Sequence, residues 1–157
     1  MVPPIWYSLP AMSLQKGTRI GSYEIVGSLG QGGMGEVYRA KDFKLKREVA
    51  IKRLTGAVAQ DPDRIARFER EAQVLASLNH PNIAAIYGLV EHEGGQCLVL
   101  ELVEGRTLEE RLQEGAFDVQ EATAIGLQVI AALEAAHGKG IIHRDLKPAN
   151  IKVGAQG

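Results

Sequence analysis

From Tyr23 to Leu54, apolar and polar positions alternate along the chain, and β-forming residues are common. A period of two places successive side chains on opposite faces of a pleated strand. "YEIVGSLG", "GEVYRAKD" and "REVAIKRL" therefore predict three antiparallel strands. The glycine cluster Gly30–Gly35 separates the first two, and "DFKLK" the second and third.

The period then changes. In "DPDRIARFEREAQVLASLNHP", Ile65, Phe68, Ala72, Leu75 and Leu78 recur at steps of three and four, a single helical stripe. Asp61 suits the N-cap, Pro62 the first turn, and Pro81 forbids continuation. "NIAAIYGLVEH" and "QCLVLELV" predict a hairpin turning at Gly94-Gly95. After Gly105 the pattern is helical, with capping-box spacing at Thr107/Glu110 and Asp118/Glu121. The helix expected over Val119–His137 is apolar on every side, which calls for burial on every side. Ile125, Leu127, Val129, Ile130 and Leu133 would together gain on the order of 10 kcal/mol from burial. Little else in the chain is available to cover them, so the pattern anticipates missing protein.

Composition narrows the field without deciding it. The 157 residues are 45% hydrophobic and 24% charged, with net charge −1. One domain with a real core is expected, and no global field draws the chain to nucleic acid or an anionic membrane. Charge is uneven: Arg39–Arg53 holds seven Lys/Arg against two acids, and Glu91–Glu121 nine acids against two Arg. Two solvated faces account for this. The basic run lacks the aromatic interleaving of a nucleic-acid surface. Cys97 is the only cysteine, which excludes an intrachain disulfide and fits a reducing compartment. The four histidines lack zincin spacing. "MVPPIWYSLPAMSLQKG" has no signal-peptide layout and predicts an irregular arm over 1–19, with 1–11 as an upstream extension or a misplaced start. No run of about 18 apolar residues predicts a membrane span.

Three segments carry chemistry. In "LGQGGMGEVYRA", Gly30, Gly32 and Gly35 let a backbone approach phosphates, although a glycine-rich hairpin turn satisfies the same spacing. A dinucleotide fold needs a helix after the glycines, where Glu36-Val37-Tyr38 continues as strand, and no Walker A Gly-Lys-Ser/Thr follows. In "EVAIKRL", Val49 and Ile51 face one way, Ala50 and Lys52 the other. Lys52 is either an exposed strand lysine or a phosphate-binding cation that needs a partner, with Glu71 the candidate. In "HRDLKPAN", Asp145, Lys147 and Asn150 offer a proton acceptor, an ammonium and an Mg²⁺ ligand within six residues. The competing reading is a polar turn.

In this order the glycine loop, "VAIK", the mid-helix Glu and "HRDLKPAN" resemble the eukaryotic-like Ser/Thr protein kinases, particularly the bacterial ones, over about residues 20 to 153. The resemblance implies an α+β, protein-kinase-like fold. Its small lobe (20–102) would be a five-stranded antiparallel sheet with one main helix. Residues 103–157 would be the hinge, first helices and catalytic loop of a truncated helical large lobe. It further implies that Gly30, Gly32 and Gly35 cover the ATP phosphates, that Leu29 and Val37 flank the adenine, and that Ala50 roofs it. Lys52 would bind the α/β-phosphates with Glu71 as its ion-pair partner. Leu100 would be the gatekeeper, and Glu101, Leu102 and Val103 the hinge, bonding adenine through the backbone of Glu101 and Val103. His143 and Arg144 would brace the loop, Asp145 would be the catalytic base, Lys147 would meet the γ-phosphate and Asn150 would ligate Mg²⁺. "DLKP" is the Ser/Thr form.

Two departures qualify this. Lys152 stands where the family often has an apolar residue under the adenine, though its aliphatic stem can pack there. Neither Asp-Phe-Gly nor Ala-Pro-Glu occurs in the sequence. The expectation is a fragment of a kinase that uses ATP and Mg²⁺ on protein Ser/Thr hydroxyls, and that shows negligible turnover as a 157-residue chain. The kinase domain is expected in the cytoplasm, in a full-length protein that can be membrane-anchored beyond this chain. The alternative is a non-catalytic nucleotide-binding or interaction module. An in-frame Asp-Phe-Gly beyond codon 157 separates the two.

Overall fold

The computed structural model describes residues 13–32, 35–53, 62–143 and 146–154, with the side chains of Gln31, Arg64, Phe68 and Glu71 also outside that set. The chain divides into two compact units, residues 1–71 with 87–100, and residues 72–86 with 101–157.

The first unit is built on an antiparallel sheet. Its strands are β1 (Arg19–Ile20), β2 (Tyr23–Gly32), β3 (Gly35–Asp42), β4 (Arg47–Arg53), β5 (Ile86–His92) and β6 (Gly95–Glu101), in the order β1-β2-β3-β4-β6-β5. The sequence predicts β2 to β6. The sixth strand arises where the expected irregular arm ends, as Arg19–Ile20 folds back on Tyr23–Glu24 across a tight turn whose Gly21 has φ +57°. Two residues are too few for an alternation to be legible, so pattern reading misses such a strand. The β5–β6 hairpin turns at Glu93-Gly94, both at positive φ, the left-handed pair that matches strand twist. Buried Asp42 closes the β3–β4 turn, its Oδ1 accepting from the backbone N–H groups of Lys44 (2.9 Å) and Leu45 (3.1 Å).

The period-two pattern decides what is buried. Ile20, Ile25, Tyr38, Ala40, Val49, Ile51, Cys97 and Val99 form the core, with Leu14, Tyr23 and Val90 packed against it. Burial raises the Cys97 thiol pKa against the opposing charge of Arg53, so this cysteine behaves as a small core hydrophobe.

The helix α1 runs Pro62–Ala76. Within its expected stripe Ala72 is buried, as is Leu78 just beyond it. The Asp61 cap lies outside the described residues.

In the second unit, α2 (Leu108–Leu112) begins in a full capping box, with the Thr107 hydroxyl accepting from the Glu110 N–H and the Glu110 carboxylate from the Thr107 N–H. Helix α3 (Val119–His137) is capped by Asp118, which accepts from the Glu121 N–H at 2.8 Å. Its apolar side chains are not buried all round. Leu127 and Ile130 are 62% and 60% exposed, and only Ala136 is buried. The cover that the sequence pattern calls for is not supplied by the described residues. Two short strands, β7 (Arg106–Thr107) and β8 (Lys152–Val153), pair antiparallel.

Candidate active site

In the first unit, register brings the expected residues together. Gly30 on β2 pairs with Val37 on β3, and Val37 pairs with Lys52 on β4. Directly opposed residues share a face of the sheet, so glycine loop, Val37 and Lys52 form one row across three strands. Ala50, two residues before Lys52, lies on that face and is 7% exposed. The opposite face carries Tyr38 and Ile51, both in the core. Lys52 is thus on the non-core side of a rigid sheet, half-buried, beside the loop.

The loop has the backbone features its glycines suggest. Gly32 pairs with Gly35, whose φ of +151° is open chiefly to glycine. A bulge between Ser28 and Gly30 takes Leu29 out of register, and Leu29 is 44% exposed. A Cβ added at Gly30 would meet nothing within 4 Å. Packing among the described residues does not require glycine there. Leu100, at the end of β6, is half-buried. Glu71 lies on α1, but its side chain is outside the described set, and with it the expected pairing to Lys52.

In the second unit the backbone of Glu101 is locked. Its N–H donates to the Ala85 carbonyl (2.8 Å) and its carboxylate accepts from the Ala85 N–H (3.0 Å). Val103 is at the surface. Its carbonyl accepts from Lys152 Nζ at 2.9 Å. The segment after Val103 is clamped to the segment after Asn150: Arg106 pairs with Val153, Thr107 with Lys152, and the Leu108 N–H donates to the Ile151 carbonyl at 2.8 Å. Lys147 is extended and leads into a 3-10 turn, Pro148–Asn150, in which the Asn150 N–H donates to the Lys147 carbonyl at 2.9 Å. Pro148 starts this turn and has no N–H to lose. Lys147, Asn150 and Val103 are therefore held near one another by β7–β8. Arg144 and Asp145 lie outside the described residues.

Asn150 offers a carboxamide oxygen of the kind Mg²⁺ accepts, and this ion takes most of its remaining ligands from water and phosphates. Among the described residues no group of three His, Cys, Asp or Glu side chains could hold a metal by itself.

Two features escape sequence reading. One is the Lys152–Val103 bond, which links residues 49 apart. The other is Glu36, 4% exposed on the core side of β3. Alternation with Tyr38 was a usable signal, because a carboxylate at an inward position needs dedicated partners.

The description "Protein kinase domain" matches residues 23–157. The chain is 46% identical over 143 residues to the serine/threonine-protein kinase PrkC of Bacillus subtilis, covering 90% of this chain and 22% of that protein. It is 45% identical over 138 residues to PknB of Mycobacterium leprae, covering 85% of this chain and 22% of that protein. The chain thus spans about a fifth of the length of the curated relatives it matches. Among solved structures, the Mycobacterium tuberculosis PknI kinase domain superposes with TM-score 0.81 at 32% identity, covering 92% of this chain and 59% of that one.

Proposed function

This chain belongs to the protein kinase domain family, and from that membership we propose that the protein carrying it is a serine/threonine kinase that moves the γ-phosphoryl group of ATP onto Ser or Thr hydroxyls of proteins. Residues 20–102 serve as its ATP-binding lobe, and 103–157 as the hinge and opening of the second lobe. The observation that carries the reading is the cross-strand row Gly30–Val37–Lys52. A glycine-rich loop next to a strand-mounted ammonium suits a polyphosphate.

In this reading the loop amides and Lys52 hold the phosphates, and Glu71 fixes Lys52. Leu29, Val37 and Ala50 enclose the base, beside Leu100 and the backbone of Glu101 and Val103. Asp145 accepts the proton of the attacking hydroxyl. The hydroxyl oxygen bonds to the γ-phosphorus as the bridging P–O bond breaks, and ADP leaves. Lys147 balances charge on the moving phosphoryl group. When bound, Mg²⁺, with Asn150 among its ligands, neutralises phosphate charge. Catalysis of this kind is positioning plus electrostatics. The domain would work in the cytoplasm, where ATP is. No helix among the described residues is long and apolar enough to cross a membrane.

The test is phosphoamino-acid analysis of a generic protein substrate labelled by the full-length protein and γ-labelled ATP. Label on Ser or Thr is expected. Nucleotide binding with no transfer would return the chain to the class of binding modules.

A further inference from the structure

The residue that follows the glycine loop is a buried acid held by several partners. Glu36 lies between Gly35 and Val37, with its carboxylate on the core side of the sheet. Oε1 accepts from the Ser13 hydroxyl at 2.6 Å. Oε2 accepts from the Tyr38 hydroxyl at 2.5 Å. The Tyr38 oxygen in turn accepts from the Leu14 N–H at 2.9 Å. Across the sheet Glu36 is in register with Arg53, the 8%-exposed neighbour of Lys52, and Arg53 also pairs with Glu93 at 3.6 Å. One cluster therefore touches the chain ahead of the sheet, the strand leaving the glycine loop and the end of the strand that carries Lys52.

We propose that Glu36 is a positioning residue for the nucleotide-binding loop, and that Ser13 and Leu14, docked on Glu36 and Tyr38, make the chain preceding the sheet a lever on that loop. The proposal deepens the kinase reading and rests on it. A buried carboxylate that loses a donor is driven to regain one from water or by moving. Any movement of the Glu36 backbone is felt on both sides. Its peptide planes are shared with Gly35 and Val37, and Gly35 at φ +151° is a backbone position able to absorb rotation. Displacement of Glu36 thus shifts both the closing glycine of the loop and the Val37 member of the Gly30–Val37–Lys52 row. Ser13 is exposed, whereas the carboxylate it binds is not. A partner or modification that pulls Ser13 away would reach the loop without touching the nucleotide face.

The experiment uses the full-length protein with Ser13→Ala, Ser13→Thr and Tyr38→Phe. Hydrogen exchange is read at the amides of Gly35, Glu36 and Val37 without nucleotide, and kcat and KM for Mg-ATP are measured separately. Ser13→Ala removes one surface hydroxyl, so it keeps the test open where Tyr38→Phe fails to fold. Loss of one such hydrogen bond predicts exchange at those three amides about 3- to 10-fold faster, and KM raised by a similar factor. It leaves kcat within about twofold, and Ser13→Thr restores both values. Unchanged exchange at the three amides overturns the proposal. So does equal acceleration at the core amides of Ile51 and Val99, which would mean general destabilisation. Local acceleration in a protein whose wild type neither binds nor uses ATP would leave the coupling standing and remove the kinase reading.

Discussion

Lys152 Nζ donates a hydrogen bond to the Val103 carbonyl at 2.9 Å, tying the residue two places after Asn150 to the segment that leaves β6. The family often has an apolar residue at this position, and here the charged end is carried away to a backbone acceptor. In the kinase reading, the methylene stem is what remains to pack beneath the base.

On that reading, Lys152→Met should hold KM for ATP within about threefold of wild type. Lys152→Ala, which removes the stem, should raise it by about 3- to 10-fold. Steady-state kinetics on the full-length protein check both. Equal effects of the two substitutions would show that the ammonium matters.

Gly105 has φ +112°, and a Cβ there would lie 2.5 Å from the Val153 carbonyl oxygen. Backbone cannot yield as a flexible side chain can, so Gly105→Ala should pry β8 from β7. The strain costs about 1–3 kcal/mol. Exchange protection of the Leu108 amide, bonded to Ile151, should fall while that of the Ile51 amide is retained.

The first-unit core can be tested with a matched pair. Ile51 is 0% exposed and Leu45 64%. Ile51→Ala should cost about 2–5 kcal/mol and Leu45→Ala less than about 0.5 kcal/mol, read from unfolding midpoints.

Strands β2 to β6 and the bounds of α3 were legible because each is long enough for its period to repeat. The two-residue strands β1, β7 and β8 were not, since their pairing depends on chain reversals at Gly21 and on Gly105 lying against Val153. The site divides in the same way. Lys52 and the glycines could be read from local spacing, and the strand register then aligned Gly30, Val37 and Lys52. The Glu36 cluster depends on Ser13 meeting a residue 23 positions later, and Lys152 on Val103 across 49 positions. No local pattern records such separations. In α3 the sequence signalled the helix, while the all-round burial its pattern called for is not found, with Leu127 and Ile130 exposed.

Glu36 should also make stability sensitive to acid. Burial raises its pKa, but hydrogen bonds from Ser13 and Tyr38 and the charge of Arg53 together outweigh it, and the folded value is lowered. A depressed carboxylate pKa stabilises the fold above the ordinary carboxylate range, and that contribution is lost as pH falls through the lowered folded value. Between pH 7 and about pH 3 the wild-type melting temperature should fall further than that of Glu36→Gln, which has no proton to gain. Parallel curves would contradict the assignment.

The central claim is that Asp145 is the base of a phosphoryl transfer to protein hydroxyls. Its most direct measurement is the rate of γ-phosphoryl transfer from Mg-ATP to a protein substrate by the full-length wild type and by Asp145→Asn, each shown to bind Mg-ATP. The account predicts Ser/Thr phosphorylation by the wild type and a kcat lowered by about 10²–10⁴-fold in the variant, with nucleotide affinity preserved. Equal transfer by the two proteins, or no transfer by a wild type that binds Mg-ATP, would contradict it.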